Sequence, residues 1–429
     1  MRNSIWLGLS LVIILILLPF LFACSDDGKT EEPPVTKTEE PTATVEPTNE
    51  PEEPVIITFG NLSDFTGPAA SVMEPINMAV DDVVEYFNEQ NLIPGVKLEV
   101  VTYDGQYDPA NGIPGYEWLK ERGADVILCD AATGPPLVPR ATKDEVPVFM
   151  HNAPEDVLDP AGYVFATGVS PESLGYTMLG WIIENDWDHV TNGPAKIGAA
   201  GWDDGVTQGI IDAMENYAQA HPDQFEFVGG FITSMANFDW STEVEALKNC
   251  DYIFPPGAIM FSFAEQYRSA GYTAKFLGGS PQAAFMGMIY DAQMWDEIDG
   301  SLFFLETRWW TDEEGSLLEL TKQLLYENHA DSAEKIKRTG NGYMVVAQIY
   351  MILDLIKTAA EAVGPENLDS KAIYDAAQSW TMTVDGIERY STNETKRNPP
   401  NYVGVYEAAG ADKNLFRADP DWVPLKREP

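Results

Sequence analysis

The side chains that could do chemistry in this 429-residue sequence are dispersed. Its four histidines, His151, His189, His221 and His329, stand far apart, so their spacing suggests neither a metal site nor a serine–histidine pair. No GxSxG elbow, Walker loop, GxGxxG fingerprint or HExxH helix occurs, which removes the commonest signatures of acyl transfer, nucleotide binding and zinc hydrolysis. A triad built from distant positions stays open, because triads are defined by geometry and not by order along the chain. Two acid-rich loops, DGQYD at 104–108 and WDDG at 202–205, carry carboxylates that could hold calcium. Neither alternates its ligands in the manner of an EF-hand loop, and solvated turns account for both.

The elements around such loops give them meaning. From Val55 onward short β-rich runs alternate with amphipathic stretches. VIITFGNL, VKLEVVTYD, ADVILC and VPVFMHN read as strands. Between the first two, SVMEPINMAVDDVVEYFNEQ places Ile76, Val80, Val83, Val84 and Phe87 at helical spacing, with Asp81, Asp82 and Glu85 on another face. After Pro171 the alternation restarts with the strands AKIGAAG, EFVGGFIT, DYIF and AKFLGG and the helices between them. SLFFLET, the apolar helix GYMVVAQIYMILDLIKTAAEAV and the strand NYVGVYEA follow. Two successive β/α series predict two doubly wound α/β lobes. In open α/β sheets ligands bind beyond the carboxyl ends of the strands. That rule selects Ser63–Gly67, Asp130–Pro135, Asn152–Pro154, Trp202–Gly205, Pro255–Ala258 and Gly278–Gln282, which two facing lobes would bring to one cleft.

The amino end is of another kind. Arg2 precedes an apolar run from Ile5 to Phe22 and then Ala23, the pattern of an export signal; an uncleaved transmembrane anchor is the competing reading. Leu21-Phe22-Ala23-Cys24 resembles a bacterial lipobox, which implies lipidation at Cys24 and retention at a membrane, since two acyl chains anchor stably. Phe22 is bulkier than that motif usually carries. Residues 24–54 are acidic and rich in proline and threonine, with little to bury, and are expected to form an extended disordered tether reaching as far as roughly 90 Å.

The charge balance is lopsided: 26 basic against 68 acidic residues give a formal net charge of −42. Nucleic acid and anionic lipid surfaces are poor partners for such a field, whereas solubility in a saline medium and a long-range pull on cations both fit it. Besides Cys24 only Cys129 and Cys250 occur. They fall in different predicted lobes, so buried free thiols are expected in preference to a disulfide.

ITFGNLSDFTGPAA, VKLEVVTYDGQYDPANG, GADVILCDAATGPPLVPRATKDEVPVF, GYVFATGVSPESLGY and FEFVGGF…FDWSTEVEALK, in that order and spacing, resemble the type I periplasmic binding proteins of the branched-chain amino acid class. The resemblance spans 55 to about 408. It implies two doubly wound lobes joined by a three-strand hinge, with lobe 1 at 55–168 and 306–384, lobe 2 at 169–305 and 385–415, and a tail at 416–429. It also implies an extracytoplasmic solute receptor, not an enzyme: a monomer without cofactor or metal that delivers a small solute to an ABC transporter permease. Sensory signalling to a membrane receptor is the alternative use of that fold. Ligand contacts carried over by the resemblance are Ala132 and Thr133, with Thr133 either holding a ligand carboxylate or capping a helix, Asn152 and Ala153, Trp202 as a stacking or a core residue, Asp203, Pro256 and Ser280. Ser280 stands where amino-acid-binding relatives tend to carry an acid for the ligand's ammonium, and Asp203 and Asp130, the acids that could substitute, do not stand in the matching place; together with the apolar Pro255, Pro256, Phe285 and Met286 this turns the expectation toward a small carboxylate or amide with an apolar or aromatic body.

Overall fold

A computed structural model describes residues 53–235 and 237–429. The expected export signal, the lipidation site Cys24 and nearly all of the tether lie outside the described residues.

The first sheet holds five parallel strands in the order β2-β1-β3-β4-β5, formed by Val55–Ser63 (β1), Val96–Asp104 (β2), Ala124–Cys129 (β3), Val148–Met150 (β4) and Val164–Ala166 (β5). Strand alternation distributes its side chains to two faces. Ile57 and Phe59 of β1 enter a buried cluster with Val80, Val84 and Phe87 of the helix Ala70–Glu89 and with Ile349, Ile352 and Ile356 of the helix Val346–Val363. Leu62 joins Tyr116 and Leu119 of the helix Gly112–Lys120 on the opposite face. The apolar helix near the carboxyl end is therefore a core element of lobe 1.

The second sheet has seven strands in the order β14-β13-β10-β9-β8-β6-β7: Ala195–Trp202 (β6), Phe225–Thr233 (β7), Tyr252–Phe254 (β8), Lys275–Gly278 (β9), Leu302–Leu305 (β10), Tyr402–Ala409 (β13) and Asn414–Pro424 (β14). Strands β6 to β10 run parallel, and β13 and β14 close one edge antiparallel. A two-stranded hairpin, Thr381–Val384 (β11) with Ile387–Ser391 (β12), stands apart from both sheets. Cys129 and Cys250 are buried free thiols in separate clusters.

Three segments cross between the lobes. The first follows β5 and the second follows β10. The third comes later than Val384: Arg397 still belongs to lobe 1, its carbonyl accepting from the Ala166 amide at 2.9 Å and its Nε donating to the Gly162 carbonyl at 2.8 Å, before β13 enters lobe 2 at Tyr402. The polar, turn-rich stretch STNETKRNPP that follows the hairpin β11–β12 carries no hydrophobic pattern to mark the crossing. Residues 416–424, expected as a tail, form most of β14, whose pairing with β13 gives the polar, alternating DPDWVP segment a place at a sheet edge.

Near the first crossing, carboxylates from the two lobes meet. The Glu155 amide donates to Glu172 Oε2 at 3.3 Å, and Ser170 and Ser173 donate to Glu155 Oε1 at 3.1 and 3.3 Å. Burial, with Glu155 adding repulsion, pushes the Glu172 carboxyl up to about 7. The folded protein thus keeps a proton that the unfolded chain releases above about pH 4.5, so this group favours folding at acid pH and the benefit is lost as pH rises through about 7. Glu172→Gln is accordingly expected to flatten the fall in melting temperature across this window, with wild-type and variant profiles converging at the acid end; identical slopes would contradict the assignment.

Candidate functional site

Each parallel array changes winding direction once, between β1 and β3 in lobe 1 and between β6 and β8 in lobe 2. Strand carboxyl ends part at such switch points and leave a crevice. The two crevices face one cavity of about 430 Å³, a size suited to a small organic ligand.

Lobe 1 lines it with Asp130 and Ala131 after β3, His151 and Asn152 after β4, and Ala69, Val72, Met73 and Ile76 from the start of the first long helix. Tyr107 enters from the loop after β2, where Gln106 and Tyr107 both adopt positive φ, +55° and +52°. Two successive non-glycine residues in that region are uncommon, and the kink carries the ring into the cleft. Lobe 2 adds Trp202 at the end of β6 and Asp204 after it, Gly257 and Ala258 after β8, Ser280 after β9, and an apolar wall that includes Met235, Phe238, Phe285 and Met288. Trp202 Nε1 donates to the Asn237 carbonyl at 3.0 Å, and its ring meets Phe238 edge-on at 5.8 Å. Phe238 is 56% exposed although it lines the cavity, so this wall can bury more apolar surface when a solute enters.

The floor is polar and comes from the hinge. Glu306, buried just after β10, accepts from Ser280 Oγ at 2.7 Å and from Gln348 Nε2 at 2.9 Å. Gln348 Oε1 in turn accepts from Thr167 Oγ1 at 3.0 Å, in the first crossing, while Arg389 Nη2 holds the Glu306 carbonyl. Burial pushes the Glu306 carboxyl upward, and the Asp130 and Asp204 carboxyls move the same way for the same reason. Burial also holds the His151 imidazole down at about 4, so its ring is neutral at neutral pH. Among the described residues lining the cavity none is Lys or Arg. This is a site for holding a small molecule through an apolar wall and a few fixed polar groups.

A profile of the periplasmic binding protein family matches residues 56–411. The chain belongs to the periplasmic binding protein family. Its fold is that of solved type I periplasmic binding proteins. One is a branched chain amino acid ABC transporter protein from Thermus thermophilus with bound valine, at 17% identity and a TM-score of 0.72, covering 87% of this chain and 97% of that one. Another is a solute binding protein of an ABC transporter from Rhodopseudomonas palustris BisB5 in complex with 3,4-dihydroxy benzoic acid, at 16% identity and 0.70, covering 87% and 99%. LivJ from Streptococcus pneumoniae in complex with isoleucine matches at 16% identity and 0.66, covering 86% and 99%. No curated protein matches the sequence.

In this periplasmic binding protein the structure brings Asn152, Trp202 and Ser280, together with Asp130, to the cavity wall and leaves Ala132, Thr133, Ala153, Asp203 and Pro256 off it. Thr133 is fully buried, and its amide and that of Ala132 donate to Asp130 Oδ1, each at 2.8 Å. Asp130 is thus the residue capping this turn, and the two amides anticipated for a ligand carboxylate are already satisfied by a side chain. Ala153 and Pro256 are buried away from the cavity, where Gly257 and Ala258 supply the wall instead. Asp203 points to solvent while its neighbours Trp202 and Asp204 face inward, and Asp204 accepts from the Thr207 amide at 2.6 Å as cap of the following helix.

Glu306 was not anticipated as a contact. Its signal was available: it directly follows the strand run SLFFL, so the carboxyl-end rule applied to that run would have named it. Gln348 and the early residues of the first long helix had no such signal, because they reach the cleft only through lobe packing. Removing Gln348 would orphan Glu306 Oε1 inside the protein, while Thr167 Oγ1 keeps the Met150 and His151 carbonyls at 3.3 and 3.4 Å, and an unsatisfied buried polar group costs about 1–3 kcal/mol. Gln348→Ala is therefore expected to lower unfolding free energy by about that amount in urea titration, with Gln348→Glu no better; a loss below about 0.5 kcal/mol would show that the network does not hold the hinge.

Proposed function

We propose that this periplasmic binding protein is a lipid-anchored extracytoplasmic receptor that reversibly captures one small organic solute between its lobes and delivers it to an ABC transporter permease. The observation that carries the reading is the cavity at the two switch points, floored by a hinge carboxylate and walled by aromatic and aliphatic side chains from both lobes. Solutes bound by structurally similar proteins, valine, isoleucine and 3,4-dihydroxy benzoic acid, are of a size such a cavity accepts. Family membership supports solute reception; the lipobox-like Leu21-Phe22-Ala23-Cys24 supports the anchor, and the acidic segment after it a tether long enough to let the lobes approach a membrane partner.

Ligand that binds only the folded state stabilises it, by about 2.7 kcal/mol at 100 times its dissociation constant. A thermal-shift screen of the full-length protein against amino acids, amines, aromatic acids, amides and short-chain acids is expected to yield at least one saturable stabiliser. Trp202→Ala should raise that ligand's dissociation constant by about tenfold through loss of an aromatic contact. No stabiliser in a broad library would overturn solute reception. Separately, the protein from a bacterial host should carry two acyl chains at Cys24 by mass spectrometry and enter the detergent phase, and Cys24→Ala should release it to the aqueous phase; a wild-type protein without acyl mass would remove the anchor.

A further inference from the structure

The polar groups of the cleft are one-sided. Asp130 and Glu306 are both almost fully buried and both line the cavity, Asp204 lines it from the other lobe, and no Lys or Arg among the described residues lines it. Asp130 Oδ1 is committed to the Ala132 and Thr133 amides, but Oδ2 is buried with no hydrogen-bond partner. A buried carboxylate oxygen left unpaired is costly, and a donor from a bound molecule would relieve it. Tyr107 belongs to the same environment: burial and the carboxylates of Asp130, Asp204 and Asp64 all oppose its ionisation, which keeps the phenol a neutral donor. The loop amides that could have gripped an anion are spent on Asp130. A solute carboxylate would therefore meet acids on both sides without a cationic partner, whereas an ammonium would meet acceptors and the faces of Trp202, Phe238 and Phe285, aromatic surfaces that attract cations. The formal net charge of −42 draws in cations and repels anions over a longer range.

Resting on the solute-receptor reading above, we propose that the cleft takes an ammonium-bearing solute, an amine on an apolar or aromatic body, and that Asp130 and Glu306 are the residues selecting its charge. The carboxylate or amide ligand anticipated from Ser280 and its apolar surroundings gives way, because the acid missing at Ser280 is supplied by Glu306, 2.7 Å from the Ser280 hydroxyl.

Two sets of probes that share a body and differ in charge test this on the full-length protein: phenethylamine, phenylalanine and 3-phenylpropanoate, and isoamylamine, leucine and 4-methylpentanoate. By thermal shift and calorimetry, the amine of at least one set is expected to bind at least tenfold more tightly than its carboxylate counterpart. Asp130→Asn, which keeps an oxygen for the two amides, and Glu306→Gln should each weaken that amine at least tenfold while the ligand-free melting temperatures confirm folding. Stronger binding of the carboxylates, no binding of either amine, or unchanged amine affinity in both folded variants would overturn the charge assignment. If either carboxylate, or another solute of the wider library, still binds, solute reception survives the loss; if nothing binds, both fall together.

Discussion

A single buried carboxylate, Glu306, ties the hinge to the cleft. It sits where the chain leaves lobe 2 after β10, yet its oxygens are held by Ser280 from lobe 2 and Gln348 from lobe 1, and Gln348 is held in turn by Thr167 in the first crossing. A carboxyl group buried there requires such partners, because removing any of them leaves a desolvated polar group unmatched. The chain of bonds touches two of the three crossings, and the Asn398 side chain on the Gly168 carbonyl brings the third against the first. Lobe orientation and the polar floor of the cavity are consequently set by one connected group of residues, so the hydrogen bonds that position the lobes also determine what a solute meets at the bottom of the cleft.

Much of this was legible in the sequence wherever hydrophobic patterning was strong. VKLEVVTYD and ADVILC occupy the residues of β2 and β3, and the first long helix begins within one residue of its expected start, because alternation and helical spacing follow directly from which faces must be buried. The carboxyl-end rule selected five loops that reach the cleft and one, Ser63–Gly67, that does not line it, and it passed over the loop that carries Tyr107. It did not resolve which residue of each loop points inward: Asp204 and not Asp203, Gly257 and not Pro256. That choice depends on the last half-turn of backbone after each strand, and in the Asp130 loop on a side chain that consumes its own loop's amides. The late third crossing and the edge strand β14 were hidden for a related reason, since STNETKRNPP and DPDWVP are polar and turn-rich, and only sheet pairing reveals their place.

The acidity of the chain takes on a local meaning in the cleft. An excess of carboxylates over the surface is compatible with solubility alone. Buried carboxylates in a ligand-sized cavity are different, because water no longer compensates them and burial raises their proton affinity. An ammonium group supplied by a solute would restore that balance. The surrounding Trp202, Phe238 and Phe285 would exclude water from the contact and strengthen it.

The most direct measurement is a ligand-bound crystal structure of the protein with the tightest stabiliser. The account predicts a solute enclosed between the lobes, its nitrogen within hydrogen-bond distance of Asp130 or Glu306 and its apolar body against Trp202 and Phe238. A solute carboxylate at that floor, or a ligand bound outside the interlobe cavity, would contradict it.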